Sequence, residues 1–203
     1  MRCKGFLFDL DGTLVDSLLA VERAWSNWAR RHELTPEEVL AFIHGKQAIT
    51  SLRHFMAGKS EAEIAAEFTR LEQVEATETE GITALPGAIA LLNDLNKAGI
   101  PWAIVTSGSM PVARARHKVA GLPAPEVFVT AERVKRGKPE PDAYLSLTAQ
   151  FQTTTGVNKR TQRISGICRR NANMTGRGNR HQAVVHVMFA DQRPFHIAHF
   201  FAI

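Results

Sequence analysis

The sequence predicts an α/β fold in which an inserted all-helical segment interrupts an open parallel sheet. Three short apolar runs have the composition of buried strands, at residues 5–10, 100–105 and 127–129. Helix-like segments alternate with them, and this alternation is typical of a parallel sheet covered by helices. From about residue 16 to 83 the patterns are helical throughout. We therefore expect functional side chains at the carboxyl ends of the strands, where the sites of such sheets lie.

The helical segment shows two start signals and an apolar stripe. Thr35 and Ser60 are each followed three residues later by glutamate, the capping-box pattern of a helix start. Pro36 adds a residue favoured in the first helical turn. The helix predicted over residues 18–31 has an apolar face formed by Leu18, Val21, Trp25 and Trp28. We interpret its two tryptophans as core residues rather than as a platform for stacking on a sugar.

After the helical segment the chain returns to strands and helices. Pro86 begins a helix with an apolar face, and Gly99 provides its end. The second strand then runs into the polar turn Thr106-Ser107-Gly108-Ser109. A helix over residues 111–119 and the third strand follow. These elements extend the alternation of strands and helices that predicts an open parallel sheet.

The positive charge of the chain is confined to its C-terminal part. The formal net charge is +5, yet residues 1–145 carry 17 Lys and Arg against 19 Asp and Glu. Residues 146–203 carry 8 basic residues against one acidic residue. Arg169-Arg170 and Gly176-Arg177-Gly178 suggest an alternative function, an inactive protein whose basic tail binds RNA nonspecifically. The irregular arginine spacing and the lack of interleaved aromatic residues argue against nucleic acid as a partner.

These patterns divide the chain into three parts. We expect a catalytic core from residues 1–15 and 84–150, and a helical cap from residues 16–83. Residues 151–203 form an atypical basic tail that we expect to be irregular or disordered, because it lacks helical or strand periodicity over any useful length. Within the tail, only residues 183–190 could form a strand.

The sequence has no sign of a membrane or a secretory location. No apolar run approaches the roughly 20 residues that a spanning helix needs. The N-terminus lacks the apolar stretch of a signal peptide. Cys3 and Cys168 have neither a disulfide pattern nor metal-ligand spacing. We expect a cytoplasmic protein that is a monomer.

The strongest chemical signal is the segment from Asp9 to Ser17 at the end of the first apolar run. Carboxylates two residues apart on a strand point to the same side, so Asp9 and Asp11 can reach one bound phosphate. A carboxylate can attack phosphorus if a divalent cation offsets the repulsion between anions. The second carboxylate can exchange protons with the leaving group and with water. Gly12 lets the backbone turn closely around the phosphate.

This segment resembles the first motif, DxDGT, of the haloacid dehalogenase superfamily. The superfamily's second motif, a Thr or Ser ending the next core strand, is matched by Thr106, and its Lys before Pro is matched by Lys138. The resemblance implies that Asp9 is the nucleophile and Asp11 the acid and base. It implies that Thr106 holds phosphate oxygens and that Lys138 neutralises charge during transfer. It also implies a Rossmann-like parallel sheet with a helical cap inserted between the first two motifs.

Further details resemble bacterial sugar phosphatases within this superfamily. The details are the loop His44-Gly45-Lys46 and the run from Val105 to Ser109. The resemblance implies a small phosphorylated sugar or sugar alcohol as substrate, bound by Gly12, His44, Lys46, Thr106 and Ser107. It implies Mg²⁺ as cofactor, with Asp9 and Asp11 as its ligands. His44 and Lys46 could equally be ordinary surface-loop residues.

The resemblance ends near residue 145. The superfamily's fourth motif supplies acidic residues that bind Mg²⁺, and none is present here: 48 residues without a carboxylate separate Asp142 from Asp191. Asp191 follows the strand-like run 183–190, but the connection is too long for a compact α/β unit. We expect weakened Mg²⁺ binding and impaired activity. Our hypothesis is that a reading-frame change near Leu145 replaced the original C-terminus.

Overall fold

The computed structural model describes residues 6–134 of the 203-residue chain. The strands within them are β1 (Phe6–Phe8), β2 (Val15–Asp16), β3 (Thr83–Ala84), β4 (Trp102–Val105) and β5 (Val127–Val129). The helices are α1 (Leu18–Arg31), α2 (Pro36–Ile43), α3 (Ala48–Phe55), α4 (Glu61–Thr77), α5 (Ala88–Lys97) and α6 (Met110–Val119), and a 3₁₀-helix follows at Ala131–Arg133. The predictions for Cys3, Lys138, Cys168 and the basic tail concern residues outside this range.

Three strands form the parallel sheet that the sequence predicts. Their order is β1-β4-β5, and both neighbouring pairs are parallel. Leu7 lies opposite Ala103, and Ile104 lies opposite Phe128. All four residues of β4 are buried, because helices cover the faces of the central strand. The carboxyl ends of β1 and β4 therefore meet at one edge, next to Asp9 and Thr106.

A short antiparallel ribbon closes the helical segment at its two ends. Val15 of β2 pairs with Ala84 of β3, and Asp16 pairs with Thr83. The helical patterns over residues 16–83 predict helix up to both of these positions, so the ribbon corrects that prediction. Two-residue strands are too short for a periodic pattern to identify. The ribbon brings the entry and the exit of the helical segment side by side at the end of the sheet.

Helices α1 to α4 pack around their own apolar cluster. Trp25 and Trp28 are buried in this cluster, with ring centroids 5.5 Å apart in an edge-to-face arrangement. The interpretation of both tryptophans as core residues is confirmed, although Trp25 also borders the cavity described below. Within the described part of the chain, no helix is both long enough and apolar enough to cross a membrane.

The predicted helix signals have mixed outcomes. At Ser60 both hydrogen bonds of the capping box are present, so that prediction is confirmed. At Thr35 the side chain makes no capping hydrogen bond, so that prediction is wrong, although α2 still begins at Pro36. Gly99, two residues after the end of α5, adopts φ of 63°, which makes it the expected helix stop.

The starts of α5 and α6 differ slightly from expectation. Helix α5 begins at Ala88 rather than at Pro86, after Gly87 with φ of 83°. Helix α6 begins at Met110, one residue earlier than predicted. Both helices pack on the sheet in a second apolar cluster, which includes Phe8, Leu92 and Ile104. This cluster supports the sheet edge at which the polar residues gather.

Candidate active site

One cavity of about 680 Å³ lies between the carboxyl edge of the sheet and the helical segment. Seven residues expected in the site from the sequence line it: Asp9, Asp11, Gly12, His44, Lys46, Thr106 and Ser107. They come from three separate parts of the chain, which are the loop after β1, the loop between α2 and α3, and the loop after β4. Lys138, the remaining predicted site residue, lies outside the described range.

The loop after β1 places Asp9 and Asp11 by a tight turn rather than by strand geometry. Strand β1 ends at Phe8, and the backbone then folds back so that the amides of Leu14 and Val15 both donate to the carbonyl of Leu10. The prediction that Asp9 and Asp11 lie on a strand is therefore wrong, although both residues line one cavity. The turn of this loop, rather than the alternation of side chains along a strand, brings Asp9 and Asp11 to the same cavity.

Gly12 allows this turn. Its φ is 73°, in the left-handed region that glycine favours. A Cβ atom there would meet no atom within 4 Å, so the constraint is the backbone conformation and not space. The amide of Gly12 donates to the carbonyl of Val15 at 2.8 Å, which closes the loop. Asp9 at the start of the loop accepts a hydrogen bond from the amide of Leu10 at 2.8 Å.

Asp11 is held by two donors on one carboxylate oxygen. The hydroxyl of Ser17 donates to Oδ1 at 2.6 Å, and Nη1 of Arg116 lies 3.0 Å from the same atom. Both contacts therefore involve the same oxygen of the carboxylate. The side chain of Asp11 is 30% exposed, so it stays accessible from the cavity.

The loop after β4 lines the cavity beside the loop after β1. The amide of Thr106 donates to the carbonyl of Val129, which extends the β4–β5 pairing by one residue. Its hydroxyl accepts from the amide of Gly108 at 3.0 Å. Ser107 donates from Oγ to the carbonyl of Gly45 at 3.4 Å, and so connects this loop to the helical segment. The loop is thus braced from both sides.

His44 and Lys46 lie on the side of the helical segment. His44 is exposed at the cavity rim. The ammonium group of Lys46 donates to the carbonyl of Phe42 at the end of α2 and lies 3.6 Å from the centroid of the Phe42 ring. The helix dipole stabilises a cation at the last carbonyls of a helix, and a cation–π interaction stabilises a cation over an aromatic ring. In this conformation the amino group of Lys46 contacts Phe42 of the helical segment.

Arg116 and Glu75 are site residues that sequence reasoning missed. Arg116 lies on α6 with 6% of its side chain exposed, and its Nη2 donates to Glu75 of α4 at 2.9 Å. The pKa of Glu75 is raised by burial, against the opposing effect of the Arg116 charge. One signal could have found Arg116: it follows the buried residues Val112 and Ala113 at helical spacing, which places a charge on the inner face of α6.

A family model described as haloacid dehalogenase-like hydrolase matches residues 3–160. The chain belongs to this family. The match covers more than three quarters of the chain and extends past residue 145, the predicted end of the resemblance. The recognised superfamily and the predicted fold class are both confirmed, whereas the reading-frame hypothesis stays a prediction.

Curated relatives in this family include several phosphatases. The chain is 94% identical over 145 residues to hexitol phosphatase A of Escherichia coli strain K12, a match that covers 71% of this chain and 67% of that protein. It is 31% identical to 2-deoxyglucose-6-phosphate phosphatase 1 of Saccharomyces cerevisiae, over 68% of this chain and 60% of the yeast protein. The chain thus spans about three fifths to two thirds of the length of these relatives.

Solved structures of the haloacid dehalogenase-like fold resemble the chain over three quarters of its length. A hydrolase from Pseudomonas syringae has a TM-score of 0.60 and 29% identity, over 74% of this chain and 70% of that chain. CbbY from Rhodobacter sphaeroides has a TM-score of 0.63 and 23% identity, over 74% of this chain and 73% of that chain. The likeness to CbbY concerns the fold alone.

The carboxylates of this haloacid dehalogenase-like site provide some of the oxygen ligands that Mg²⁺ needs. Proteins commonly hold Mg²⁺ by one or two carboxylates together with waters and substrate phosphate. Asp9 and Asp11 provide two carboxylates on one cavity. Among residues 6–134, no group of three or more His, Cys, Asp or Glu side chains is arranged to hold a metal. Arg116 and Ser17 both contact Oδ1 of Asp11, and the amide of Leu10 donates to Oδ1 of Asp9, so each carboxylate also has protein partners.

Proposed function

We propose that the protein hydrolyses phosphomonoesters of small sugars or sugar alcohols, with Mg²⁺ as cofactor and through an aspartyl-phosphate intermediate. The observation that carries the proposal is the convergence of Asp9, Asp11 and Thr106 on one cavity. Names of relatives add the substrate class, since hexitol phosphatase A and 2-deoxyglucose-6-phosphate phosphatase 1 are similar to this chain. The activity is proposed for this chain, although the chain matches only part of the length of those two relatives.

In the proposed reaction, an oxygen of the Asp9 carboxylate attacks phosphorus while the bond from phosphorus to the sugar oxygen breaks. Asp11 donates a proton to the departing oxygen, so that a neutral alcohol leaves. A water molecule then attacks the phosphorus of the aspartyl phosphate and passes its proton to Asp11. The bond from Asp9 to phosphorus breaks, which releases phosphate and restores both carboxyl groups to their starting states.

Other residues of the cavity hold the substrate during these steps. The hydroxyl of Thr106 accepts from Gly108 and keeps its own proton for a phosphate oxygen. We place Gly12 and Ser107, which line the same cavity, at the phosphate. We place His44 and Lys46 at the sugar. Mg²⁺, held by Asp9 with Asp11, would offset the repulsion between carboxylate and phosphate. Lys138 would add a second positive charge.

The helical segment would act as a cap over the sugar in this proposal. Contacts that join it to the sheet side include the hydrogen bond from Ser107 to Gly45 and one from Gln47 to the carbonyl of Ala131 at 3.4 Å. Closure would exclude bulk water while the sugar leaves. We keep residues 16–83 as the cap, residues 1–15 and 84–150 as the core, a monomeric state and a cytoplasmic location as parts of the proposal.

The proposed activity is impaired in this chain, because no acidic residue stands between Asp142 and Asp191. A carboxylate lost from a Mg²⁺ site weakens cation binding. We expect slow phosphate release that rises with Mg²⁺ concentration, and we expect chelation by EDTA to stop it.

The variant Asp9→Asn tests the nucleophile. The amide cannot form an acyl phosphate, so phosphate release should fall by at least about 1000-fold, or to background if the parent is slow. The measurement is inorganic phosphate released from hexitol phosphates, hexose phosphates and glycerol phosphate with Mg²⁺. Asp94→Asn is the matched control, since Asp94 lies exposed on α5, paired with Lys97. Equal release by the parent and Asp9→Asn would refute the assignment.

A further inference from the structure

Arg116 forms a buried bridge between the helical segment and the proposed acid–base residue. Its Nη1 lies 3.0 Å from Oδ1 of Asp11, and its Nη2 lies 2.9 Å from Oε1 of Glu75. The side chains of Arg116 and Glu75 are 6% and 10% exposed. Asp11 precedes the helical segment and Arg116 follows it, whereas Glu75 belongs to α4 within it. The three side chains therefore connect parts of the chain that meet only in the folded protein.

Stability alone does not account for an arginine at this position. The neighbouring inner residues of α6, Val112 and Ala113, are apolar and buried. Taking a guanidinium and a carboxylate out of water carries a desolvation cost, and apolar residues of similar size often replace such groups without loss of stability. In addition, Nε of Arg116 is buried without a hydrogen-bond partner within residues 6–134. An apolar side chain at this position of α6 would avoid the desolvation cost of burying Arg116.

The geometry of the guanidinium couples the two carboxylates. Its five N–H donors are fixed in one plane, so the nitrogen that contacts Glu75 determines where the nitrogen that contacts Asp11 points. Arg116 and Ser17 both contact Oδ1 of Asp11. Two donors on one oxygen restrict rotation of the carboxyl group and leave Oδ2 as the oxygen that can exchange a proton in the cavity.

We propose that Arg116 and Glu75 are positioning residues that orient the Asp11 carboxyl group toward the leaving oxygen, with Glu75 acting through Arg116. The inference rests on the proposed function, because the role of Asp11 as acid and base is part of that proposal. It adds a structural consequence: Asp11 is oriented only while α4 is packed on α6. Packing of the helical segment and alignment of the acid–base group are then one event.

The kinetic test compares Glu75→Gln, Arg116→Lys and the double variant in the full chain. Lysine keeps the charge but lacks the planar fork, so it cannot hold both carboxylates in this geometry. We expect each single variant to lower kcat by at least about 10-fold, because a positioned acid–base group contributes roughly 100-fold or more to the rate. The KM of each variant should stay within about 3-fold of the parental KM. Because Glu75 acts through Arg116, the double variant should be no slower than Arg116→Lys.

Glu67→Gln is the matched control. Glu67 is also a carboxylate of α4 with arginine partners, Arg31 and Arg70, but it does not line the cavity. It should change thermal stability without changing kcat. The inference is wrong if Glu75→Gln and Arg116→Lys keep the parental kcat, or if Glu67→Gln lowers kcat to the same extent. It is also wrong if the effects of Glu75→Gln and Arg116→Lys multiply in the double variant.

Hydrogen exchange separates failure of this inference from failure of the proposed function. If the parent releases no more phosphate than Asp9→Asn, the proposed function fails for this chain and kcat cannot be compared. Amide exchange over residues 9–17 then decides: Glu75→Gln and Arg116→Lys should speed it relative to Glu67→Gln, with exchange in β4 unchanged. Unchanged exchange over residues 9–17, or an equal increase throughout the protein, would overturn the positioning role.

Discussion

Thr106 illustrates how a single side chain shapes the proposed phosphate site. It is 4% exposed at the end of β4, and its hydroxyl accepts from the amide of Gly108 at 3.0 Å. The same hydroxyl can donate its proton to a phosphate oxygen, since one hydroxyl both donates and accepts. The motif in the sequence identified Thr106, whereas the accepting half of its role depends on the turn after β4.

Replacing Thr106 by valine should lower kcat/KM for phosphate esters about 10- to 100-fold. Valine has nearly the same shape, but it removes a donor to the phosphate and leaves the amide of Gly108 without its acceptor. Thr106→Ser keeps the hydroxyl and is the matched control. Steady-state kinetics of both variants provide the measurement, and indistinguishable values for valine and serine would contradict the assigned role.

At the scale of the element, similar sequence signals have different outcomes in α2 and α4. The pattern of Ser or Thr followed three residues later by Glu occurs before both helices. At Ser60 the hydroxyl accepts from the amide of Glu63, and the Glu63 carboxylate accepts from the amide of Ser60. At Thr35 no such bond forms, and Pro36 begins α2 without it. The pattern therefore predicts where a helix begins better than it predicts which hydrogen bonds form.

Ser60→Ala should lower the free energy of unfolding by about 1 kcal/mol, the usual value of an N-cap side chain. Thr35→Ala should change it by less than about 0.5 kcal/mol, because no capping bond is lost there. Urea unfolding of the two variants and the parent measures both values. Equal losses at the two positions would show that the difference between the caps has no energetic consequence.

The ionic cluster around Glu67 joins α1 to α4. Its carboxylate lies 3.1 Å from Arg31, from His32 and, within α4, from Arg70. Burial by itself raises the pKa of Glu67, but the hydrogen bond with His32 and the nearby positive charges together lower this pKa below its ordinary value of 4.5. Folding therefore favours the ionised carboxylate, and the cluster stabilises the protein above that pH.

Because the pKa of Glu67 is lowered, the effect of Glu67→Gln on stability should depend on pH. A carboxyl group with a lowered pKa binds fewer protons in the folded state, so its contribution is present above pH 4.5 and is lost as the pH falls through the folded-state pKa. The variant should be less stable than the parent by about 1 kcal/mol near pH 7, with the difference shrinking in acid. Thermal unfolding at several pH values measures it, and a constant difference would contradict the ionic origin.

At the scale of the whole molecule, the described residues contain two apolar clusters. Leu52 and Trp28 belong to the cluster of the helical segment, whereas Leu92 and Ile104 belong to the cluster of the sheet. Between them lie the cavity and the polar contacts made by Arg116, Ser107 and Gln47. Such a junction allows the two clusters to be perturbed separately.

Leu52→Ala and Leu92→Ala test this separation. Both leucines are fully buried, so each change should cost about 2–5 kcal/mol. Because they lie in different clusters, the double variant should lose the sum of the single losses to within about 0.5 kcal/mol. Urea unfolding followed by tryptophan fluorescence and by circular dichroism gives the values. A clearly smaller or larger combined loss would show that the clusters act as one core.

The sequence by itself determined the family, the parallel α/β sheet with its helical insertion, and the residues of the motifs. These features are readable because strands, helices and motifs are local: Asp9 and Asp11 are two residues apart, and Gly99 lies two residues after the end of the helix that it stops. Asp9, Thr106 and their neighbours in the two loops also reach one cavity, because parallel strands place their carboxyl ends at one edge.

The tertiary structure alone decided how the site is braced. Arg116 and Glu75 are 41 residues apart, and neither belongs to a recognisable motif. The β2–β3 ribbon joins positions on either side of the whole helical segment. Contacts between distant residues depend on how helices pack on the sheet, and no local pattern of residues contains that information.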